Sequence, residues 1–172
     1  ITIPPMKTNS KKIYFMDICQ ANLELITKIK LPIIPKLSIY EAVIIEFRVM
    51  NHIEFIIRNC IQKLGTRFMH TIVCGKDNYN QIKDICQKVK RTINIINLNV
   101  SNVDRNYYNN LLLSKEFWLK LHGDKILIYQ EDSLIFHKNI EPFLQFDYIG
   151  APWPHHYTCL LYTSDAADDV YG

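Results

Sequence analysis

The feature that most constrains the fold is the alternation of short apolar runs with longer amphipathic segments. Apolar, β-branched runs occupy residues 41–48, 70–74 and 93–98, and a fourth begins at Lys125. Apolar residues recur at helical intervals between them, over about 51–65, 78–90 and 107–121. Strands that alternate with helices of this length form right-handed βαβ units and a parallel sheet. We therefore predict a Rossmann-like α/β fold, with helices on both faces of a mostly parallel sheet.

The fourth apolar run ends in a polar sequence that predicts a site. The run from Lys125 to Tyr129 reads as a buried central strand, and Glu131, Asp132 and Ser133 follow almost directly. Ligands of open α/β sheets bind outside the carboxyl ends of the strands. Adjacent carboxylates repel each other unless a cation compensates, and Mg²⁺ or Mn²⁺ that also contacts substrate phosphates would do so. The alternative is a solvated junction between strand and loop, closed by a serine turn.

Two familiar ways of binding phosphate are missing from the sequence. No GxGxxG follows the first strand, no GxxxxGK[ST] occurs, and the chain has only five glycines. A metal ion or side chains would therefore have to bind a phosphate group.

Composition narrows the classes of partner. The formal net charge is +3, which suits either a polyanionic ligand such as a nucleotide diphosphate or solubility alone. The basic residues are dispersed, so we expect no nucleic acid, and no apolar run is long enough for a transmembrane segment. Cysteines at 60, 74 and 86 fall in apolar patterns. They predict thiols buried in the core, which favours a reducing compartment such as the cytoplasm.

Three segments are predicted along the chain. Residues 1–38 contain prolines that favour an extended arm, with one short helix around Ala21 to Ile29. Residues 39–157 form the α/β domain. Residues 158–172 resemble translated sequencing-adapter read-through, with a genuine acidic tail as the alternative, and we leave them out of the fold prediction.

Three motifs together resemble a family of glycosyltransferase-like proteins, domain of unknown function family 5672. The resemblance covers roughly Tyr40 to Pro154, and the motifs lie at Tyr108–Ser114 with Phe117-Trp118, Ile126–Ser133, and Asp147–Trp153. The family is similar to GT-A glycosyltransferases, in which a nucleotide-sugar lies across the first half of the sheet and an acidic motif holds a divalent metal on the diphosphate. The resemblance implies a nucleotide-sugar-binding domain and transfer of a sugar to an acceptor hydroxyl.

The resemblance also implies roles for individual residues. Asp132 and Glu131 would face a Mn²⁺ or Mg²⁺ ion, and the contacts to the nucleotide-sugar would come from Ser133, Arg48, Asn109, Asn110 and Lys115. Arg48 lies at the end of the first strand, and the alternative for it is an ordinary surface arginine. Trp153, in the loop Gly-Ala-Pro-Trp-Pro, would form a wall for a sugar or the acceptor, or else fill the core beneath a proline turn. No catalytic base or nucleophile is identifiable, so retention or inversion is not predicted.

The sequence departs from the family pattern in one respect and leaves other functions open. The usual motif is Asp-x-Asp, whereas the carboxylates are adjacent here, and neighbouring side chains of a strand point to opposite faces. The acceptor half expected beyond Trp153 is missing, which is typical of a fragment that is inactive alone. The alternatives are a non-catalytic Rossmann-like module that binds a carbohydrate or a partner, and another metal-dependent nucleotide-handling enzyme.

Overall fold

The computed structural model describes residues 8–150, with side chains from Tyr14 onward. The chain divides into two compact units, Ile1–Ile140 and Glu141–Gly172. The described elements of the first unit are α1 (Thr8–Ala21), α2 (Leu23–Thr27), β1 (Tyr40–Ile45), α3 (Ile53–Leu64), β2 (Phe68–Cys74), α4 (Tyr79–Val89), β3 (Asn94–Asn97), α5 (Arg105–Leu113), α6 (Lys115–Trp118) and β4 (Lys125–Tyr129). The second unit begins with a single 3₁₀ turn, Glu141–Phe143.

The four described strands form one parallel sheet in the order β3-β2-β1-β4. This arrangement confirms the predicted Rossmann-like α/β fold. The chain builds the sheet outward from β1 to β3 and then crosses back to place β4 on the other side of β1. The strand order therefore reverses between β1 and β4, and such a switch point opens a crevice at the carboxyl ends of the strands.

The core lies on both faces of β1 and β2, whose residues are buried almost throughout. One face carries a cluster of buried side chains from the strands and from the α5–β4 region: Val43, Ile45, Phe47, Val73, Phe117 and Leu121. The helices α3 and α4 contribute their own buried apolar stripes. Cys60 and Cys74 are buried and free, as predicted, and Cys86 is free and partly buried. None of the described helices is long and apolar enough to cross a bilayer.

The position of β4 corrects the prediction of a buried central strand. β4 lies at one edge of the described sheet, and only Tyr129 among its residues is buried. Its apolar run resembles that of a central strand because both faces of an edge strand in an α/β sheet still contact covering layers. The apolar pattern of a strand indicates which of its faces are covered. It does not indicate which strands lie beside it in the sheet.

One helical prediction also changes. The predicted helix over about 107–121 is two helices, because the Ser114 hydroxyl accepts a hydrogen bond from the Phe117 N–H and starts α6. The helix predicted over about 51–65 is α3, which has His52 as its N-cap. In its first turn, Glu54 accepts a hydrogen bond from Arg58 Nε at 2.9 Å.

The arm before β1 is more helical than predicted. The sequence indicated an extended segment with one short helix, whereas α1 covers fourteen residues and α2 a further five. Phe15 of α1 meets the His52 ring edge-on, with ring centroids 6.3 Å apart. Among the described residues, the prolines of the arm are Pro32 and Pro35, which follow these two helices, so their effect there is confined to the segment between α2 and β1.

Candidate functional site

The switch point brings together the two loops that the sequence singled out. β1 pairs with β4 in parallel, with Ile44 opposite Tyr129. The loop that begins at Glu46 therefore emerges beside the turn that begins at Gln130. Arg48 comes from the first loop and Glu131 from the second, and they lie in contact although 83 residues separate them in the chain.

An ion cluster lies at this switch point. Arg48 donates through Nε to Glu46 Oε1 at 2.8 Å and through Nη2 to Glu46 Oε2 at 2.7 Å. The same Nη2 donates to Glu131 Oε1 at 2.9 Å. Both carboxylates are nearly buried, whereas 45% of the Arg48 side chain is exposed. The hydrogen bonds to Glu46 are the main reason that the pKa of Arg48 is raised, and the guanidinium is a permanent cation.

The loop that presents Arg48 is fixed by side chains of the next βα unit. Asn78 is fully buried and donates to the carbonyls of Glu46 at 2.8 Å and Arg48 at 3.2 Å. Its Oδ1 accepts from the Gly75 N–H at 3.0 Å, so one amide joins the ends of β1 and β2. Gln81 completes the support by bonding both backbone groups of Met50. Arg48 is therefore held on a rigid backbone.

The turn after β4 separates the two adjacent carboxylates. Glu131 turns inward to Arg48, and its backbone carbonyl lies 2.9 Å from His52 Nε2. Asp132 is exposed. Ser133 closes the turn, since its hydroxyl donates to the Gln130 carbonyl at 2.7 Å and accepts from the Gln130 N–H at 3.0 Å. The sequence predicts that the Ser133 hydroxyl contacts the nucleotide-sugar. In the structure this hydroxyl also bonds the backbone of Gln130.

The fit of this cluster to a divalent metal can be judged from its charges. Within residues 14–150, no three His, Cys, Asp or Glu side chains are grouped to hold an ion. Glu131 is nearly buried and paired with Arg48, whereas Asp132 is exposed. Mg²⁺ and Mn²⁺ are often bound by one or two carboxylates together with substrate phosphates and water. Asp132 fits that role better than Glu131 does.

The helix α5 borders the crevice through Tyr108. The pKa of Tyr108 is raised, chiefly by burial; a hydrogen bond with the Gln130 side chain lowers it, and the negative charges of Glu131 and Glu46 raise it further. Of the next two residues along α5, Asn109 is partly buried and Asn110 is exposed. Lys115 is exposed at the start of α6, which follows the carboxyl end of α5. The structure thus brings together Arg48 and Glu131 and does not bring Lys115 to them.

The predicted wall residue Trp153 lies outside the described residues. The sequence analysis assigned no function to three buried residues of the site, which are His52, Glu46 and Asn78. Glu46 and Arg48 do form a Glu-x-Arg sequence at the end of an apolar strand, and this spacing was the available signal.

The parallel sheet, its strand order and the charged crevice at its switch point define a Rossmann-like α/β protein. Residues 92–170 match the family described as Protein of unknown function (DUF5672), which confirms the family resemblance over that range. The matched range includes α5, β4 and the acidic turn but not Arg48. No curated protein and no solved structure matches the chain.

Proposed function

We propose that the chain binds a nucleotide-diphosphate sugar at the switch point and acts as a glycosyltransferase that transfers the sugar to an acceptor hydroxyl. The observation that carries the proposal is the half-exposed Arg48, held on buried Glu46 and Glu131, with the exposed Asp132 next to Glu131 in the chain. Switch points of open α/β sheets bind nucleotides, and a preorganised guanidinium is well suited to phosphate oxygens.

Arg48 has capacity for a ligand in addition to its two carboxylates. Among the described residues, its Nη1 makes no hydrogen bond, while Nε and Nη2 are used. A guanidinium that is already immobilised loses little conformational entropy when a ligand binds. Arg48 would thus orient the diphosphate through Nη1 without giving up its contacts to Glu46 and Glu131.

The charge of the crevice favours a metal-assisted form of binding. Glu46, Glu131 and Asp132 supply three carboxylates against one guanidinium. A diphosphate that approaches this net negative cluster would be repelled unless another cation accompanies it. A divalent ion between Asp132 and the diphosphate would supply Lewis-acid stabilisation of the leaving group. Asn109, Asn110 and Ser133 remain proposed donor contacts at the border of this site.

The test is calorimetric titration of the whole chain with UDP, GDP, UDP-glucose and GDP-mannose, each with and without Mn²⁺. We expect binding that needs Mn²⁺, that Asp132→Asn weakens at least roughly tenfold, and that Arg48→Lys weakens because a lysine lacks the fork. Asp84→Asn, on the exposed face of α4, is the matched control and should bind like the native chain.

Two other results would replace this function with an alternative. Equal affinity for plain nucleotides and nucleotide-sugars, still dependent on Mn²⁺ and Asp132, would indicate another metal-dependent nucleotide-handling enzyme. Binding of free sugars without nucleotide or metal would indicate a carbohydrate-binding module. In both cases circular dichroism of each variant establishes that a lost signal does not come from unfolding.

A further inference from the structure

Two adjoining cavities lie near the amino ends of the strands, which we call the amino edge of the sheet. The crevice lies at the carboxyl ends of the strands. One has a volume of about 510 Å³ and is lined by residues of the arm and of the α4–β3 connection. The other has a volume of about 350 Å³ and is lined by the arm, the end of α3 and Lys138. Ile33 and Arg91 line both cavities, so the two form one continuous groove.

The lining of this groove combines positive charge with apolar surface. Its four cationic side chains are Lys30, Lys90, Arg91 and Lys138, and no acidic side chain is among the described residues that line it. The end of an α-helix attracts basic residues by its dipole, which accounts for Lys90 after α4. It does not account for Lys30 or Lys138, which reach the same groove from the arm and from the segment after β4.

Specific hydrogen bonds hold the two separate segments in place. Arg91 donates through Nε to the Pro32 carbonyl at 2.6 Å and also donates to the Leu31 carbonyl, which anchors the arm beside α4. The Asn59 side chain donates to the Ile135 carbonyl at 3.2 Å and accepts from the Ile135 N–H at 2.9 Å. The groove is thus a built feature of the fold rather than a gap between loose segments.

Lys63 extends this second anchor. Its ammonium donates to the Phe136 carbonyl at 2.7 Å, two residues before Lys138. The ammonium of Lys63 is therefore used to position the segment, whereas Lys30 and Lys138 are exposed at the rim. Apolar contact at the centre comes from Ile33, whose side chain is 80% exposed and lines both cavities. An exposed isoleucine surrounded by cations fits a ligand that is both acidic and apolar.

We propose that this amino-edge groove binds an acidic peptide segment of a partner protein, with an apolar side chain of the peptide against Ile33 and its carboxylates beside Lys30, Lys90 and Lys138. Charge complementarity supports a peptide with several carboxylates, because the cations are spread along the groove instead of converging on one point. The two cavities meet at Ile33 and Arg91, so the groove is continuous, as an extended peptide requires. This inference does not depend on the proposed glycosyltransferase activity.

The experiment is fluorescence anisotropy of the whole chain with a fluorescein-labelled peptide that alternates acidic residues with leucine. We expect saturable binding that weakens with added salt and falls roughly tenfold in the double variant Lys30→Glu/Lys138→Glu. Ile33→Asp should also reduce binding, and because the side chain is already exposed the fold should be retained. A peptide in which glycine replaces leucine should bind several-fold less tightly.

The matched control is Lys83→Glu/Lys120→Glu, which changes the net charge by the same amount at two exposed lysines outside the groove. Equal losses in the two double variants would mean attraction by net charge alone and would overturn the proposal. Displacement of the peptide by tripolyphosphate, together with indifference to the leucines, would overturn it in favour of a phosphate site. Absence of any binding by the native chain would overturn it as well.

Discussion

At the residue scale, the adjacent carboxylates Glu131 and Asp132 have different environments. Glu131 is buried and paired with Arg48, and Asp132 is exposed. The sequence shows that two neighbouring side chains of a strand diverge, so it predicts that only one faces a metal. It does not show which one, because the direction depends on the turn that Ser133 closes. The ion pair across the switch point was also beyond sequence reasoning, since its members lie far apart in the chain.

A first prediction separates the two carboxylates. Glu131→Gln should lower the free energy of unfolding by about 1–2 kcal/mol, because it removes a nearly buried partner of an arginine that is itself partly exposed to water. Asp132→Asn should change it by less than about 0.5 kcal/mol. Urea unfolding followed by circular dichroism measures both values. Equal effects would mean that the ion pair does not persist in solution.

A second prediction concerns His70, whose two ring nitrogens have no hydrogen-bond partner among the described residues. Burial lowers the pKa of His70 from 6.5 to about 4. Between these values the unfolded chain takes up a proton that the folded chain does not, so stability falls as the pH falls from 6.5 to 4. The loss at pH 4 should be about 3 kcal/mol.

Replacing His70 with leucine tests this pH dependence. His70→Leu should raise the free energy of unfolding by about 1 kcal/mol at pH 7 and should flatten its dependence between pH 6.5 and 4. Ile72→Leu, buried in the same strand, is the control, because it alters packing without altering a titrating group. If the pH dependence of His70→Leu is as steep as that of the native chain, His70 is not its source.

At the element scale, periodicity predicted the helices and strands well where one apolar face runs from end to end. The helix predicted over about 78–90 is α4, Tyr79–Val89. Periodicity did not predict the end of α5 at Ser114, because apolar residues continue at helical spacing on both sides of this serine. A serine hydroxyl can either point to solvent within a helix or start a new one, and the sequence around it is compatible with both.

The third prediction belongs to the connection between β1 and α4. Asn78→Ala removes three hydrogen bonds and leaves the Glu46 carbonyl and the Gly75 N–H without this side chain as a partner. We expect a loss of about 2–4 kcal/mol in unfolding free energy and faster amide exchange from Phe47 to Met50. Asn80→Ala, exposed on the same helix, is the control and should cost little or stabilise slightly. Unchanged exchange in this loop would show that Asn78 does not hold it.

At the scale of the whole molecule, the alternation of strands and helices was enough to predict a parallel α/β sheet. It was not enough to place β4 at the edge beside β1, because strand order depends on contacts between distant residues. One such contact is Glu41, fully buried in β1, which accepts from the N–H groups of His122 and Gly123 at 2.7 Å each and from the Thr71 hydroxyl. Gly123 allows this approach, since a Cβ there would lie 2.6 Å from the Glu41 Cβ.

The last prediction follows from this contact, because Glu41 joins the first strand of the sheet to the connection that delivers the last one. Glu41→Gln keeps the volume and one acceptor oxygen but removes the negative charge that strengthens these hydrogen bonds, so the free energy of unfolding should fall by about 1–2 kcal/mol. The control is the same substitution at the exposed Glu24. Its ion pair with Lys28, four residues further along the chain, should contribute less than about 0.5 kcal/mol. Urea unfolding of both variants, with amide exchange of β4, measures the difference. A Glu41→Gln variant as stable as Glu24→Gln, with β4 amides still protected, would show that pairing of β1 with β4 does not depend on this carboxylate.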